Sequence, residues 1–173
     1  MKTHPLLVFS IGLFAAVGSA QAMDPATTSD QGFITQAVSS GMAEIALGKM
    51  AQGRSGNVNI KEYGAMMVRD HSAANTELTA IAKAKDLNLP DSPSAEQDQR
   101  ENTFESMLPA EFDRQYLQAM VSDHAQAVVI FEQEADTGAD KELRDFAART
   151  LPAIRKHLDT AKSLQSTLLP PAG

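Results

Sequence analysis

The chain has no cysteine and no tryptophan, and aromatic residues make up only 5% of it. Without cysteine it cannot form disulfides, thiolate metal sites, a covalent c-type haem linkage or a lipoprotein anchor. Basic residues are also scarce, since 15 Lys and Arg stand against 22 Asp and Glu, which gives a net charge of −7. Because phosphate backbones and anionic lipids attract basic surfaces, this balance argues against a nucleic-acid partner and against binding to acidic membranes.

A long hydrophobic run is missing too. The longest apolar stretch, Leu6 to Val17, is about a dozen residues, whereas a membrane-spanning helix needs roughly 20. Lys2 precedes this stretch and Ala20-Gln21-Ala22 follows it, a pattern typical of a secretory signal peptide and its cleavage site. We therefore predict that residues 1–22 are a cleaved signal peptide.

The mature chain, residues 23–173, is predicted to be a single exported domain without a transmembrane helix. The periplasm is the expected location. Cleavage would move the net charge from −7 to −8, because Lys2 is the only charged residue in the signal.

Sustained alternation of polar and apolar residues, the signature of strands, is absent as well. Apolar and small residues instead recur at helical spacing along most of the mature chain, which predicts an all-α protein. Four long helices are predicted, at residues 30–52, about 57–87, 109–137 and 140–168. A shorter helix is predicted at about residues 95–106, within the connection between the second and third long helices.

Amphipathic helices of this length bury their apolar stripes best side by side in a bundle. The short turns make antiparallel hairpins of the first two and the last two long helices. The connection from Asn88 to Leu108 is long enough to return along the whole bundle, which predicts a ferritin-like four-helix bundle over about residues 30–168. Pro152 lies inside the last helix and is expected to kink it.

One sequence word occurs twice, as "MVRDHSAA" from Met67 and as "MVSDHAQA" from Met120. The shared pattern MVxDHxxA places His71 and His124 on the inward seams of two helices, and His157 lies on the inward seam of the last helix. The first long helix has no histidine, but its inner side carries Glu44. Counting from the turns puts these groups near mid-helix, with mismatches of about 7 Å within each hairpin. One polar layer in the core, or two smaller clusters, is expected.

Buried imidazole and carboxylate groups need partners, and together they are good ligands for iron, zinc, copper or nickel. We therefore predict that a transition metal ion is bound by the four inward groups: His71, His124, His157 and Glu44. Met67 and Met120 lie one turn before their histidines on the same face, where they could help to hold a soft ion such as Cu(I). Asp70 and Asp123 are rotated about 100° away, so they are candidates for orienting the ligands through hydrogen bonds.

Each of these features also has an ordinary structural explanation. An inward histidine is usually a hydrogen-bonded core residue, and methionine commonly fills cores. Asp70 and Asp123 could form exposed ion pairs. The polar layer would then serve only to align the helices.

Catalytic motifs are not recognisable. A di-iron oxidase needs a glutamate three residues before its histidines, and these positions hold Val68, Val121 and Ile154. Neither a nucleophile motif nor a phosphate-binding glycine loop is present. The chain is therefore not predicted to be an enzyme, and a metal-dependent redox enzyme is a weaker alternative.

Four segments carry a family resemblance: "FITQAVSSGMAEIALGKMA", "YGAMMVRDHSAANTEL", "FDRQYLQAMVSDHAQAVVIFEQEA" and "LRDFAARTLPAIRKHLDTAKSL". With them, about Gly32 to Leu164 resembles the exported bacterial proteins grouped as domain of unknown function 4142. The resemblance implies a ferritin-like fold, export and association with the outer membrane, but no activity.

The sequence thus predicts a periplasmic ferritin-like protein that binds a transition metal for storage, buffering or stress protection. The alternative is a non-enzymatic periplasmic stress or interaction protein whose buried His/Glu layer is purely structural. The sequence leaves the identity of the metal, the oligomeric state and any envelope partner open.

Overall fold

The computed structural model describes residues 30–168, which form five helices and, within that range, no strand. The helices are α1 (Asp30–Arg54), α2 (Val58–Ala84), α3 (Ala95–Ser106), α4 (Pro109–Thr137) and α5 (Lys141–Leu168). The predicted all-α bundle with a short helix in its long connection is confirmed. The predicted signal peptide lies outside the described residues. Among the helices of residues 30–168, none is long and apolar enough to cross a membrane.

Local capping interactions determine where most of the helices begin. The Asn57 side chain accepts hydrogen bonds from the first turn of α2, and Ser94 forms a reciprocal capping box with Gln97 of α3. Pro109 starts α4 at a position where a missing N–H does no harm. Asp140 accepts hydrogen bonds from two backbone amides in the first turn of α5. The helix starts are therefore encoded locally in the sequence.

Contacts between the ends of the helices show in which direction each helix runs. At one end of the bundle, the Asp30 carboxylate that begins α1 accepts hydrogen bonds of 2.8 Å from the amides of Ala139 and Asp140 in the α4–α5 turn. Lys85, just after α2, forms a 2.8 Å ion pair with Asp140. At the other end, Arg54 of α1 donates to the carbonyl of Met107, just before α4. α2 therefore ends where α4 also ends, and these two helices run in the same direction.

This geometry requires residues 85–108 to travel the whole length of the bundle. α3 lies on that path and packs against α1 and α4. α1 pairs closely with α2 and α4 pairs with α5, while α1 also contacts α4 and α2 contacts α5. α2 and α4 are thus parallel and diagonally opposite, as are α1 and α5. A four-helix bundle with one long crossover is the ferritin-like arrangement.

The apolar core is divided into two clusters, one towards each end of the bundle. The cluster nearer the α4–α5 turn contains Phe33, Ile34, Val38, Leu78, Ile81, Ala82, Phe131, Leu143, Phe146, Ala147 and Ile154. The cluster nearer the α1–α2 turn contains Leu47, Ala51, Ile60, Tyr63, Met67, Phe104, Phe112, Tyr116, Leu117, Met120 and Ala161. Between them lies a layer of buried polar side chains, which is the candidate site.

α1 and α2 approach each other unusually closely at two facing glycines. A Cβ atom on Gly64 would lie 2.6 Å from the carbonyl oxygen of Gly48 and 2.8 Å from the Cβ of Ala51, and a Cβ on Gly48 would lie 2.7 Å from the carbonyl oxygen of Gly64. Backbone atoms cannot move aside as side chains can. The pairing of α1 and α2 therefore depends on glycine at both positions.

We expect Gly64→Ala to lower the free energy of unfolding by about 1–3 kcal/mol, because the added methyl group forces the two helices apart. Urea unfolding followed by circular dichroism measures the change. Gly53→Ala is the matched control, because a Cβ at Gly53 has no atom within 4 Å and alanine favours the helix. Equal stability of the two variants would contradict the close contact.

Candidate metal centre

Three histidines from three helices meet in the polar layer. His71 of α2, His124 of α4 and His157 of α5 have ring centroids 5.3–5.6 Å apart. One ring nitrogen of each lies within 4.8 Å of the corresponding nitrogen of the other two. The inward orientation that the sequence predicted brings all three imidazoles together, and they are the one such ligand group found within residues 30–168.

Each ring keeps one buried nitrogen without a hydrogen-bond partner. Nδ1 of His124 lies 2.9 Å from the carbonyl oxygen of Met120, which only accepts, so Nδ1 carries the proton and Nε2 has a free lone pair. Nε2 of His157 lies 2.9 Å from an oxygen of Asp70, which leaves Nδ1 free. Nε2 of His71 is also unpartnered. Three nitrogens are therefore available to a shared ligand.

Electrostatics keep these rings neutral at physiological pH. Burial, together with the neighbouring rings, lowers the pKa of His71 to about 3. Burial and His157 lower the pKa of His124 to about 4. Burial also lowers the pKa of His157, although Asp70 opposes the shift. A neutral imidazole can donate its lone pair to a metal ion, whereas a protonated ring cannot.

Asp70 forms a hydrogen bond with one of the three histidines. Its carboxylate bonds to His157 on the neighbouring helix rather than to the adjacent His71, and it also pairs with the exposed Arg69 at 2.8 Å. Partial burial raises the pKa of Asp70, but the hydrogen bonds from Arg69 and His157 outweigh it and the net shift is downward. A charged carboxylate bonded to the far nitrogen of an imidazole fixes the ring orientation, as in many metal sites.

Glu44 belongs to the same polar layer but not to the histidine cluster. It is 4% exposed, it lies beside Asp123, and it is not in the group whose ligand atoms all lie within 4.8 Å of one another. Burial and the charge of Asp123 raise the pKa of Glu44 to about 8, although Arg100 lowers it. The carboxyl group is therefore protonated at neutral pH. Its role as a metal ligand stays a prediction.

Asp123, the second aspartate of the repeated word, pairs with α3 rather than with a histidine. It forms a two-contact ion pair with Arg100 of α3, with N–O distances of 2.9 and 2.8 Å. Asp70 and Asp123 therefore have different partners, although they occupy the same position in the repeated word. Arg100 was not singled out by sequence reasoning, because neither helical periodicity nor a motif connects it to Asp123.

The two candidate methionines are fully buried. Met67 and Met120 both belong to the apolar cluster nearer the α1–α2 turn, directly beside the histidine layer. Tyr63 lies in the same cluster and donates a hydrogen bond of 3.3 Å to the carbonyl of His157. Sequence reasoning missed Tyr63, although it lies two helical turns before His71 on the same face of α2.

A cavity of about 380 Å³ adjoins the cluster. Its lining includes the three histidines, Glu44 and Arg100. The free ring nitrogens are therefore next to space that a ligand can enter.

Comparison with known proteins identifies the family. The family model described as domain of unknown function (DUF4142) matches residues 15–164, and the chain belongs to that family. Searches of curated proteins and of solved structures find no match. The description of the family names no activity.

The metal-free protein should lose stability in acid through His124. Its pKa is about 4 in the fold and 6.5 in an unstructured chain, so the unfolded state takes up the proton first as the pH falls. The contribution of His124 is complete above pH 6.5 and is lost at about 1.4 kcal/mol per pH unit between 6.5 and 4.

Urea unfolding at a series of pH values, in buffer treated with a chelator, measures this slope. His124→Gln removes the titrating ring and should give a shallower pH dependence than the unsubstituted chain. Parallel slopes for the two proteins would contradict the burial of a neutral imidazole.

Proposed function

We propose that this member of the domain of unknown function 4142 family binds a transition metal ion in its bundle core, with His71, His124 and His157 as ligands. The observation that carries the proposal is the convergence of three imidazole rings: one nitrogen of each lies within 4.8 Å of one nitrogen of the other two. Each ring also has a buried nitrogen without a hydrogen-bond partner in the protein. Leaving a buried polar nitrogen unsatisfied costs about 1–3 kcal/mol, so each of these nitrogens needs a partner that the protein itself does not supply. If the polar layer were purely structural, its buried polar side chains would be expected to form hydrogen bonds with one another.

The donor set indicates the class of ion. Neutral imidazoles suit zinc, copper, nickel and iron, whereas magnesium and calcium require oxygen ligands. In a tetrahedral zinc site the ligand nitrogens are roughly 3.4 Å apart, so small rotations of rings already within 4.8 Å would close the cluster on an ion. Three histidines leave the fourth position of such an ion free.

We place the protein in the periplasm, on the basis of its signal-like first 22 residues, and assign it a role in metal storage, buffering or stress protection. A binding role is favoured over an oxidase because the positions three residues before the histidines are apolar. Val68 contacts α1 at Gly48, where a Cβ would lie 3.1 Å from a methyl group of Val68. A glutamate at that position would have to displace this helix contact.

Metal binding is tested on protein freed of metal with a chelator and titrated with Zn²⁺ and Co²⁺ by calorimetry. We expect one ion per chain, and the double variant His71→Ala, His124→Ala should weaken binding at least a hundredfold because two of three ligands are lost. The ion should also raise the melting temperature of the unsubstituted chain, since it binds only the folded cluster.

Leu117→Ala is the matched control, because Leu117 is a fully buried residue of α4 that belongs to an apolar cluster and not to the histidine cluster. It should lower stability by about 2–5 kcal/mol and leave metal affinity unchanged. If the unsubstituted chain and the double variant hold the same negligible metal and differ only in melting temperature, the layer is structural and the protein is a non-enzymatic stress or interaction protein.

Two isosteric substitutions separate the roles of the carboxyl groups. Asp70→Asn should weaken metal binding about 10–100-fold, because the amide no longer increases the basicity of His157 or holds it by a charged hydrogen bond. Glu44→Gln should change the affinity by less than about threefold, because a protonated carboxyl group outside the cluster resembles an amide. Calorimetric titration with Zn²⁺ measures both. A large loss with Glu44→Gln would instead make Glu44 a fourth ligand.

A further inference from the structure

The repeated word ends in an alanine that the metal ligands do not explain. Ala74 and Ala127 each follow their histidine by three residues, and both line the cavity beside the cluster. Gly41 of α1 also lines the cavity, but the Asn75 side chain fills the place that a Cβ on Gly41 would take, so Gly41 does not add to the open space. Because α2 and α4 run in the same direction, the small residues of these helices reach the same level of the bundle. They leave open the space next to the histidines.

The cavity has two chemically different ends. The histidine layer, with its unpartnered nitrogens and the unpartnered Oε2 of the buried Glu44, forms one end. Large apolar side chains, Leu78, Phe131 and Phe146, line the part nearer the α4–α5 turn. A volume of about 380 Å³ corresponds to roughly a dozen water molecules, which is enough for a small organic molecule.

The cavity reaches the surface beside α3. Ser94 and Glu96 at the start of α3 and Gln126 of α4 line it and are exposed. A small molecule could therefore reach the histidines without unfolding of the bundle.

The charge of a bound divalent ion, rather than the surrounding side chains, is what would favour an anionic ligand. Three neutral imidazoles do not offset the charge of a divalent ion, and of the nearby carboxyl groups only Asp70 contacts a ligand histidine. Asp123 is neutralised by Arg100, with which it forms its ion pair. A buried net positive charge is costly in a core of this kind, so an anionic fourth ligand would be stabilised.

We propose that the cavity binds a small carboxylate with a short apolar chain, whose oxygen occupies the fourth position of the metal ion. The apolar chain would lie between Ala74 and Ala127 and contact Leu78, Phe131 and Phe146. This inference rests on the proposed metal binding and adds the class of ligand that the bound ion accepts.

The test uses the full exported chain loaded with Co²⁺, whose visible absorption changes when its ligands change. Acetate, butyrate and hexanoate are titrated against it, with 1-hexanol as the neutral counterpart. We expect the carboxylates to change the spectrum and binding to tighten about fourfold for each added methylene that becomes buried. Hexanol should leave the spectrum unchanged, because it lacks the anionic oxygen.

Ala127→Leu fills the cavity without removing a histidine. It should bind Co²⁺ with unchanged stoichiometry, retain acetate binding and weaken hexanoate binding at least tenfold. Ala125→Leu is the matched control, because Ala125 is exposed one helical position from His124 and does not line the cavity. It should behave as the unsubstituted chain. Ala74→Leu and the exposed Ala73→Leu form a second pair on α2, used if Ala127→Leu loses helical circular dichroism.

Equal affinity for acetate and hexanoate, or unchanged hexanoate binding by both cavity-filling variants, would overturn this proposal and leave metal binding intact. Absence of Co²⁺ binding would overturn the metal proposal together with it. The two failures are therefore distinguishable in one series of titrations.

Discussion

The candidate site depends on one constraint: three imidazole rings meet in the middle of a helical bundle, where His124 and His157 are almost fully buried and His71 is partly exposed. An unsatisfied ring nitrogen is costly in an apolar interior, and His71, His124 and His157 each have one. Two apolar clusters on either side of the layer supply the burial that holds the helices together around it. The polar layer therefore lies between two apolar clusters, and a bound ion would satisfy the ring nitrogens that lack a partner.

The long crossover places the two copies of the repeated word at equivalent positions in the bundle. Because residues 85–108 return along the bundle, α2 and α4 are parallel, and MVxDHxxA enters the layer from diagonally opposite helices in the same orientation. Asp70 then faces His157 of α5, and the corresponding Asp123 lies beside Glu44 of α1. The two copies of the word therefore occupy equivalent positions but have different partners. Asp70 lies against an imidazole, His157, whereas Asp123 lies beside a protonated carboxyl group, Glu44.

Helical spacing was sufficient to predict the five helices and the inward positions of His71, His124 and His157. Heights within the bundle were less well predicted, because counting from the turn centres includes residues outside the helices. His124 lies 13 residues before Thr137 and His157 lies 16 after Lys141, a difference of three residues or about 4.5 Å rather than 7 Å. Residue spacing within a helix could not predict which side chains on different helices form pairs. The pairing of Arg100 with Asp123 joins α3 to α4, and no periodicity within a single helix reveals it.

The protonation states of the layer bear on how an ion could be loaded and released. A site made of carboxylates carries several like charges when empty, and their repulsion opposes folding. Here burial lowers the pKa values of the rings and raises that of Glu44 to about 8, so the cluster is neutral without an ion. The charge that remains nearby is balanced by Arg69 at Asp70 and by Arg100 at Asp123. If an ion binds as proposed, the bundle would therefore hold the three rings in place before it arrives, and its release would expose no charge repulsion. Such a site suits reversible binding better than permanent structural use of a metal.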